Sequence, residues 1–148
     1  MTNLRIDRLG ARGDGIADTA DGPVYVPYAL PGEVVSVRMK TPGRYGRAVK
    51  LQEIITPFPG RQEAACHHFG ASENACGGCI SQHMGVDTYS DWKRNVVIDA
   101  LAGHGLVPDV EPLLSVPPAT RRRVRFAFQS TAAGMILGFR QARSDRIV

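Results

Sequence analysis

The chain has 148 residues, 43% apolar and 22% charged, which suits one ordinary domain or two small ones and is too short for most multi-domain enzymes. No apolar run approaches the roughly 20 residues that cross a bilayer, and the first residues alternate apolar and charged side chains and lack the continuous apolar stretch that marks a signal peptide, so a cytoplasmic protein is expected. The net charge of +4 is uneven: residues 1 to 120 hold 11 Lys and Arg against 13 Asp and Glu, whereas residues 121 to 148 hold seven Arg against Asp145. A basic tail attracts a polyanion such as nucleic acid or an acidic membrane surface, with a solvated Arg-rich face as the alternative.

From Leu4 to Ile54 short alternating stretches are broken by Gly and Pro, as in Leu4-Arg5-Ile6-Asp7, Pro23 to Pro27, Glu33 to Lys40 and Arg47 to Leu51. This is the pattern of strands. In the third stretch Val35, Val37 and Met39 fall on one face and Ser36, Arg38 and Lys40 on the other. Thr41-Pro42-Gly43 then reads as a hairpin turn. Several short antiparallel strands in so few residues predict a small barrel of the OB type, because closure removes exposed edges. Pro57-Phe58-Pro59-Gly60 ends the unit, since two prolines favour an extended linker.

A glycine-rich segment with every cysteine follows. Beyond it Tyr89, Trp92, Val96, Val97, Ala100 and Leu101 recur on one face of a helix expected over 88–103. Thr88 with Asp91 offers its cap, Gly103 and Gly105 its stop, and the aromatic stripe reads as core. His104 reads as a helix-end residue near free carbonyls, without function. After Pro117-Pro118 the run Arg121-Arg122-Arg123-Val124-Arg125-Phe126-Ala127-Phe128 and then Met135 to Arg140 predict a strand pair with a basic outer face carrying Arg121, Arg123 and Arg125. The apolar Ile147-Val148 ending resembles a cut through a sheet.

All three cysteines lie within fourteen residues, as Cys66-His67-His68-Phe69-Gly70 and Cys76-Gly77-Gly78-Cys79. That clustering argues against a disulfide framework and for reduced thiols serving a metal. Two glycines let both thiolates of the Cys-x-x-Cys turn face one ion. Thiolates select zinc or an iron–sulfur cluster. Zinc would take a fourth ligand from His67, His68 or His83, while a cluster normally takes four cysteines. No βαβ pattern supports thioredoxin-like chemistry.

These motifs carry a resemblance. Leu9-Gly10-Ala11-Arg12-Gly13-Asp14-Gly15-Ile16-Ala17, followed by Val24 to Glu33, resembles a TRAM domain, an OB-like RNA-binding module. Cys66 with His68-Phe69-Gly70, the Cys76 to Cys79 turn, Gln82-His83 and Tyr89-x-x-Trp92-Lys93-Arg94 are similar to the iron–sulfur region of the S-adenosylmethionine-dependent RNA (uracil-5-)-methyltransferases. Arg121 to Phe128 and Gly138-Phe139-Arg140 through Ile147-Val148 resemble the opening of that family's central domain. The resemblance implies a chain mainly β with α. A five-stranded OB-like TRAM β-barrel over 1–56 and a linker over 57–65 precede a metal-binding segment over 66–106. The truncated start of an antiparallel α+β central domain follows over 107–148.

The resemblance also implies a four-iron four-sulfur cluster on Cys66, Cys76 and Cys79. The interval from Cys66 to Cys76 is longer than the family's, so Ala71 to Ala75 is expected to bulge, and the family's fourth cysteine follows the Ile-Val reached at the end of this chain. In the family a catalytic cysteine adds to carbon 6 of a flipped uracil, and carbon 5 then takes the methyl group. That cysteine, the base and the S-adenosylmethionine site belong to a later domain, so this chain is expected to be inactive alone and to recognise structured RNA, ribosomal before transfer RNA, as a monomer without membrane contact.

The hairpin cations Arg38, Lys40, Arg44, Arg47 and Lys50, with no acid between them, are candidate phosphate contacts, with Tyr45 as a stacking surface. Arg121, Arg122, Arg123 and Arg125 are candidates too, or partners of acids elsewhere. The rival from another class is a self-contained RNA-binding adaptor with a Cys3His zinc site. A cluster-dependent redox sensor is disfavoured because nothing resembles a switch element.

Overall fold

A computed structural model describes residues 1–39, 49–72, 74–117, 119–142 and 144–148. Strands β1 (Thr2–Arg5), β2 (Arg8–Leu9), β3 (Gly15–Thr19), β4 (Gly22–Val26), β5 (Val34–Met39) and β6 (Val49–Thr56) precede helix α1 (Val86–Ala102) and the ribbon β7 (Ala127–Thr131) and β8 (Gly134–Gly138). The molecule is thus mainly β with one helix, and every strand pairing is antiparallel. The described strands of the first part form two three-stranded sheets, β1-β5-β6 and β2-β3-β4, in place of a closed five-stranded barrel.

The chain changes sheet at Ile6-Asp7. The Ile6 amide donates to Glu33 O at 2.9 Å and the Asp7 amide to Ile16 O at 2.8 Å, so adjacent residues serve different sheets, the usual way a strand turns a corner. Both sheets bury their inner faces in one core of Ile6, Ala17, Val24, Val26, Ala29, Val35, Val37 and Val49. Register shifts within the β5-β6 pairing, between Val34 and Val35 and between Ser36 and Val37, break strict alternation. Ser36 is therefore buried, and Met39, expected inside with Val35 and Val37, is 42% exposed. Strand β3 lies outside the stretches that the alternation picks out, because Gly15 and Asp18 are poor strand formers whose pairing with β2 and β4 decides the matter.

Helix α1 begins at Val86, earlier than expected. Thr88 is not its cap: Gly85 holds that position with no side-chain cap, and its amide is fixed by donating to Gly60 O at 2.9 Å. Trp92 is the one buried helical residue; with Leu30 and Met84 it forms a second core, flanked by Leu9, Phe58, Tyr89 and Val96. Its indole Nε1 donates to Gly10 O at 3.0 Å. Gly13 closes the β2-β3 turn at φ +79°, and a Cβ there would stand 3.3 Å from the Trp92 ring, so the position demands glycine for backbone and packing alike. The far end of the predicted stripe is wet: Val97 is 46% exposed and Ala100 exposed.

The last segment departs from expectation. Arg121 to Phe126 form no strand; β7 starts only at Ala127, because β8 offers pairing partners for 127–131 and none for the four arginines. Within the described residues no helix is long and apolar enough to cross a membrane.

Candidate nucleic-acid interface and cysteine turn

Of the hairpin cations, Arg38 and Lys50 are described, and Lys40, Arg44 and Arg47 lie outside the described residues with Thr41-Pro42-Gly43 and Tyr45. The register places Arg38 directly opposite Lys50 in the β5-β6 ladder. Paired residues of an antiparallel ladder share a face with Cβ atoms about 5 Å apart, so two like charges stand side by side. Two cations on one face of a ladder form a positively charged edge of the kind that phosphate groups contact. Arg121, Arg122, Arg123 and Arg125 are all exposed in the irregular chain before β7, so Arg121, Arg123 and Arg125 do not share the strand face expected of them. Arg125 borders a hollow with Gly77, Gly78, Phe126 and Phe139, which brings it beside the cysteine turn. Arg140 is ion-paired with Asp145.

Cys66 and Cys76 are partly buried and Cys79 is exposed. The loop between them is closed by the Cys76 amide donating to His68 O at 2.8 Å and the Phe69 amide to Cys66 O at 3.0 Å. Ala75, expected in an outward bulge, is buried, and its carbonyl accepts from the Ala142 amide at 3.2 Å. Cys76 bridges Gln141, and the Gly77 amide donates to Arg140 O at 2.8 Å, so the segment after β8 is laid along the turn. A Cβ on Gly77 would come within 2.9 Å of Arg140 O, which excludes any side chain there.

The Gly78 amide donates to Cys76 Sγ at 3.3 Å, the type of contact that stabilises a thiolate. The turn thus fits a metal-bound sulfur locally. Among the described residues, however, no three of His, Cys, Asp and Glu are gathered closely enough to hold a metal ion. Nor does His83 stand with the cysteines in such a group. It is buried against the rings of Tyr28, 6.2 Å away, and Phe69, 5.6 Å away.

Sequence reasoning missed a polar hub between the sheets and the cysteine segment. Glu33 is fully buried at the start of β5, and its carboxylate accepts from Arg61 Nε at 2.6 Å and Nη2 at 2.8 Å, from the Leu30 amide at 2.8 Å and from the Phe58 amide at 3.1 Å. Burial alone would raise its pKa, but the Arg61 hydrogen bonds and the two amides hold it below the usual carboxylate range. Arg61 also donates to Tyr28 O at 2.7 Å and fixes that residue at φ 64°, an uncommon conformation for a bulky side chain. Among the described residues His83 finds no hydrogen-bond partner for either ring nitrogen, and burial, then the nearby Arg61 charge, pushes its pKa down to about 4. The Gly32-Glu33 step ahead of a hydrophobic strand, and an Arg in a stretch read as linker, were the available signals, and neither identifies its partner.

The chain is thus a β-rich module with cations facing each other across one ladder, joined to a cysteine turn. No family model matches the chain. It is 43% identical, over 98% of its length and 34% of the relative's, to an uncharacterised RNA methyltransferase of Agrobacterium fabrum. A relative from Brucella suis with the same description is 41% identical over 98% of this chain and 33% of its own length. The 23S rRNA (uracil(1939)-C(5))-methyltransferase RlmD of Shewanella denitrificans is 34% identical over 99% of this chain and 32% of its own length. The chain is homologous to the RNA methyltransferases, uracil-5 enzymes of ribosomal RNA among them, and it spans about a third of the length of these relatives.

Proposed function

We propose that the chain is the RNA-recognition and iron–sulfur portion of an S-adenosylmethionine-dependent RNA 5-methyluridine methyltransferase acting on ribosomal RNA. The observation that carries the reading is the match of 99% of the chain to a 23S rRNA uracil-5 methyltransferase, in a molecule whose Arg38 and Lys50 stand opposite each other. In this reading the two sheets serve as an OB-like TRAM module that grips the phosphate backbone through Arg38, Lys50 and the intervening Lys40, Arg44 and Arg47, and Arg121 to Arg125 extend the contact. Cys66, Cys76 and Cys79 would hold a four-iron four-sulfur cluster that acts as a staple, with a fourth ligand from outside this chain.

The test is RNA binding by the chain with Arg38 and Lys50 both changed to Ala, across a salt series. Loss of two phosphate contacts is expected to weaken binding and to reduce the slope of log affinity against log salt by about two. An unchanged slope removes this ladder from the interface. Metal analysis of anaerobically purified protein adds a second readout: iron with inorganic sulfide is the expected result, and zinc would favour an RNA-binding zinc module.

A further inference from the structure

A cleft of about 400 Å³ opens where three separate segments meet: the sheet module, the loop after Cys66 and the chain after β8. We propose that this cleft holds a single unstacked RNA nucleotide, with its base against Tyr28 and its phosphate on Lys50 and Arg146. The inference rests on the RNA reading above and deepens it, because it states how RNA is held rather than that it is held.

The size is appropriate, since small-molecule sites run from roughly 300 to 1,000 Å³, so the cleft has room for a nucleotide. Its lining is appropriate as well. Pro27, Leu51 and Ala71 give apolar walls, Ser72 and Gln141 give hydrogen-bonding groups, and Lys50 and Arg146 give positive charge among the described residues that line it. An apolar cleft with a few polar groups and two cations suits a planar, polar, anionic ligand. An inorganic anion would leave the apolar walls unused.

Two further features point the same way. Arg38 stands opposite Lys50 in the ladder, so the positive field at this rim exceeds what the lining alone supplies. Tyr28 is held at φ 64° by the Arg61 hydrogen bond and by edge contact with Phe69 at 5.1 Å between ring centroids. Backbone strain of this kind costs on the order of 1 kcal/mol and persists only where the surroundings over-determine it. Here the surroundings fix an aromatic residue on the wall of a cleft, which is how single bases are received by aromatic platforms.

The experiment compares the full chain's affinity for a short RNA hairpin with a uridine loop and for the same hairpin with abasic loop positions. The wild-type chain is expected to prefer the intact loop about ten-fold, the size of one stacked base. Ala71→Trp fills the cleft but leaves Lys50 and Arg146 in place; it is expected to abolish that preference while keeping affinity for the abasic hairpin and its salt slope. Lys50→Ala with Arg146→Ala is expected to weaken both complexes and lower the slope by about two. Should Ala71→Trp fail to fold by circular dichroism, Ser72→Trp fills the cleft from the exposed end of the same wall. A folded, filled variant that still prefers the intact loop overturns the inference. Equal wild-type binding of both hairpins also overturns it and leaves the RNA reading standing; binding of neither overturns both.

Discussion

The sheet module with its helix and the ribbon β7-β8 are built from similar residues and use them in opposite ways. In the first, Val35 and Val37 are fully buried, and the one buried carboxylate has four hydrogen bonds. In the second, Phe128 pairs across the ladder with Leu137 and Ser130 with Met135, so Phe128, Leu137 and Met135 share a face, yet they are 71%, 65% and 73% exposed. What separates them is a second layer: β5 has another sheet to pack on, whereas the ribbon is tied down at its end by backbone bonds to the cysteine turn. A hydrophobic strand contributes stability only where something covers it.

Substitutions on the two sides of this comparison should therefore diverge. The largest effect is expected for Trp92→Ala, which empties the second core and orphans Gly10 O; denaturant unfolding should show a loss of about 4 kcal/mol. Glu33→Gln leaves the Arg61 guanidinium without its charge partner and should lose about 3 kcal/mol in the same assay. A loss below about 1 kcal/mol would mean that the hub is not where the module and cysteine segment are joined.

Acidification is the third test. His83 has a folded-state pKa of about 4 against 6.5 for an unperturbed histidine. As pH falls the unfolded chain takes the proton first, so the stability linked to neutral His83 is whole above 6.5 and is lost progressively toward 4. The lowered Glu33 adds to the loss at the acid end, since its contribution is present above the ordinary value of 4.5 and disappears as pH falls through its folded value. His83→Phe should flatten the upper part of that profile while leaving the lower part, and an unaltered profile would remove His83 as its cause. The smallest effect is expected for Phe128→Ser, within about 0.5 kcal/mol in unfolding. A loss of several kcal/mol would show that this face is covered in solution and would close the difference between the two regions.

The strands from Pro23 to Pro27 and Glu33 to Met39, the helix around Trp92 and the ribbon's second strand were legible, because alternation and 3.6-residue spacing report burial directly. The sheet switch at Ile6-Asp7 was not, nor was β3, since both depend on hydrogen bonds to residues far along the chain. The cations Arg38 and Lys50 were legible as a charge run, but their facing register belongs to the ladder. Arg146 stood among seven tail arginines with nothing to distinguish it, and Tyr28 looked like one more residue of a turn.

The sequence by itself determined the β-rich character, the helix, the cysteine turn with its two glycines, the basic hairpin and the resemblance to RNA methyltransferases, because each is written in neighbouring residues. Only the tertiary structure decided that Arg61, in a stretch that reads as linker, completes the buried carboxylate of Glu33, and that three segments distant in sequence enclose one cleft. Pairings of that kind depend on which surfaces meet, and local patterns of side chains carry no record of their partners.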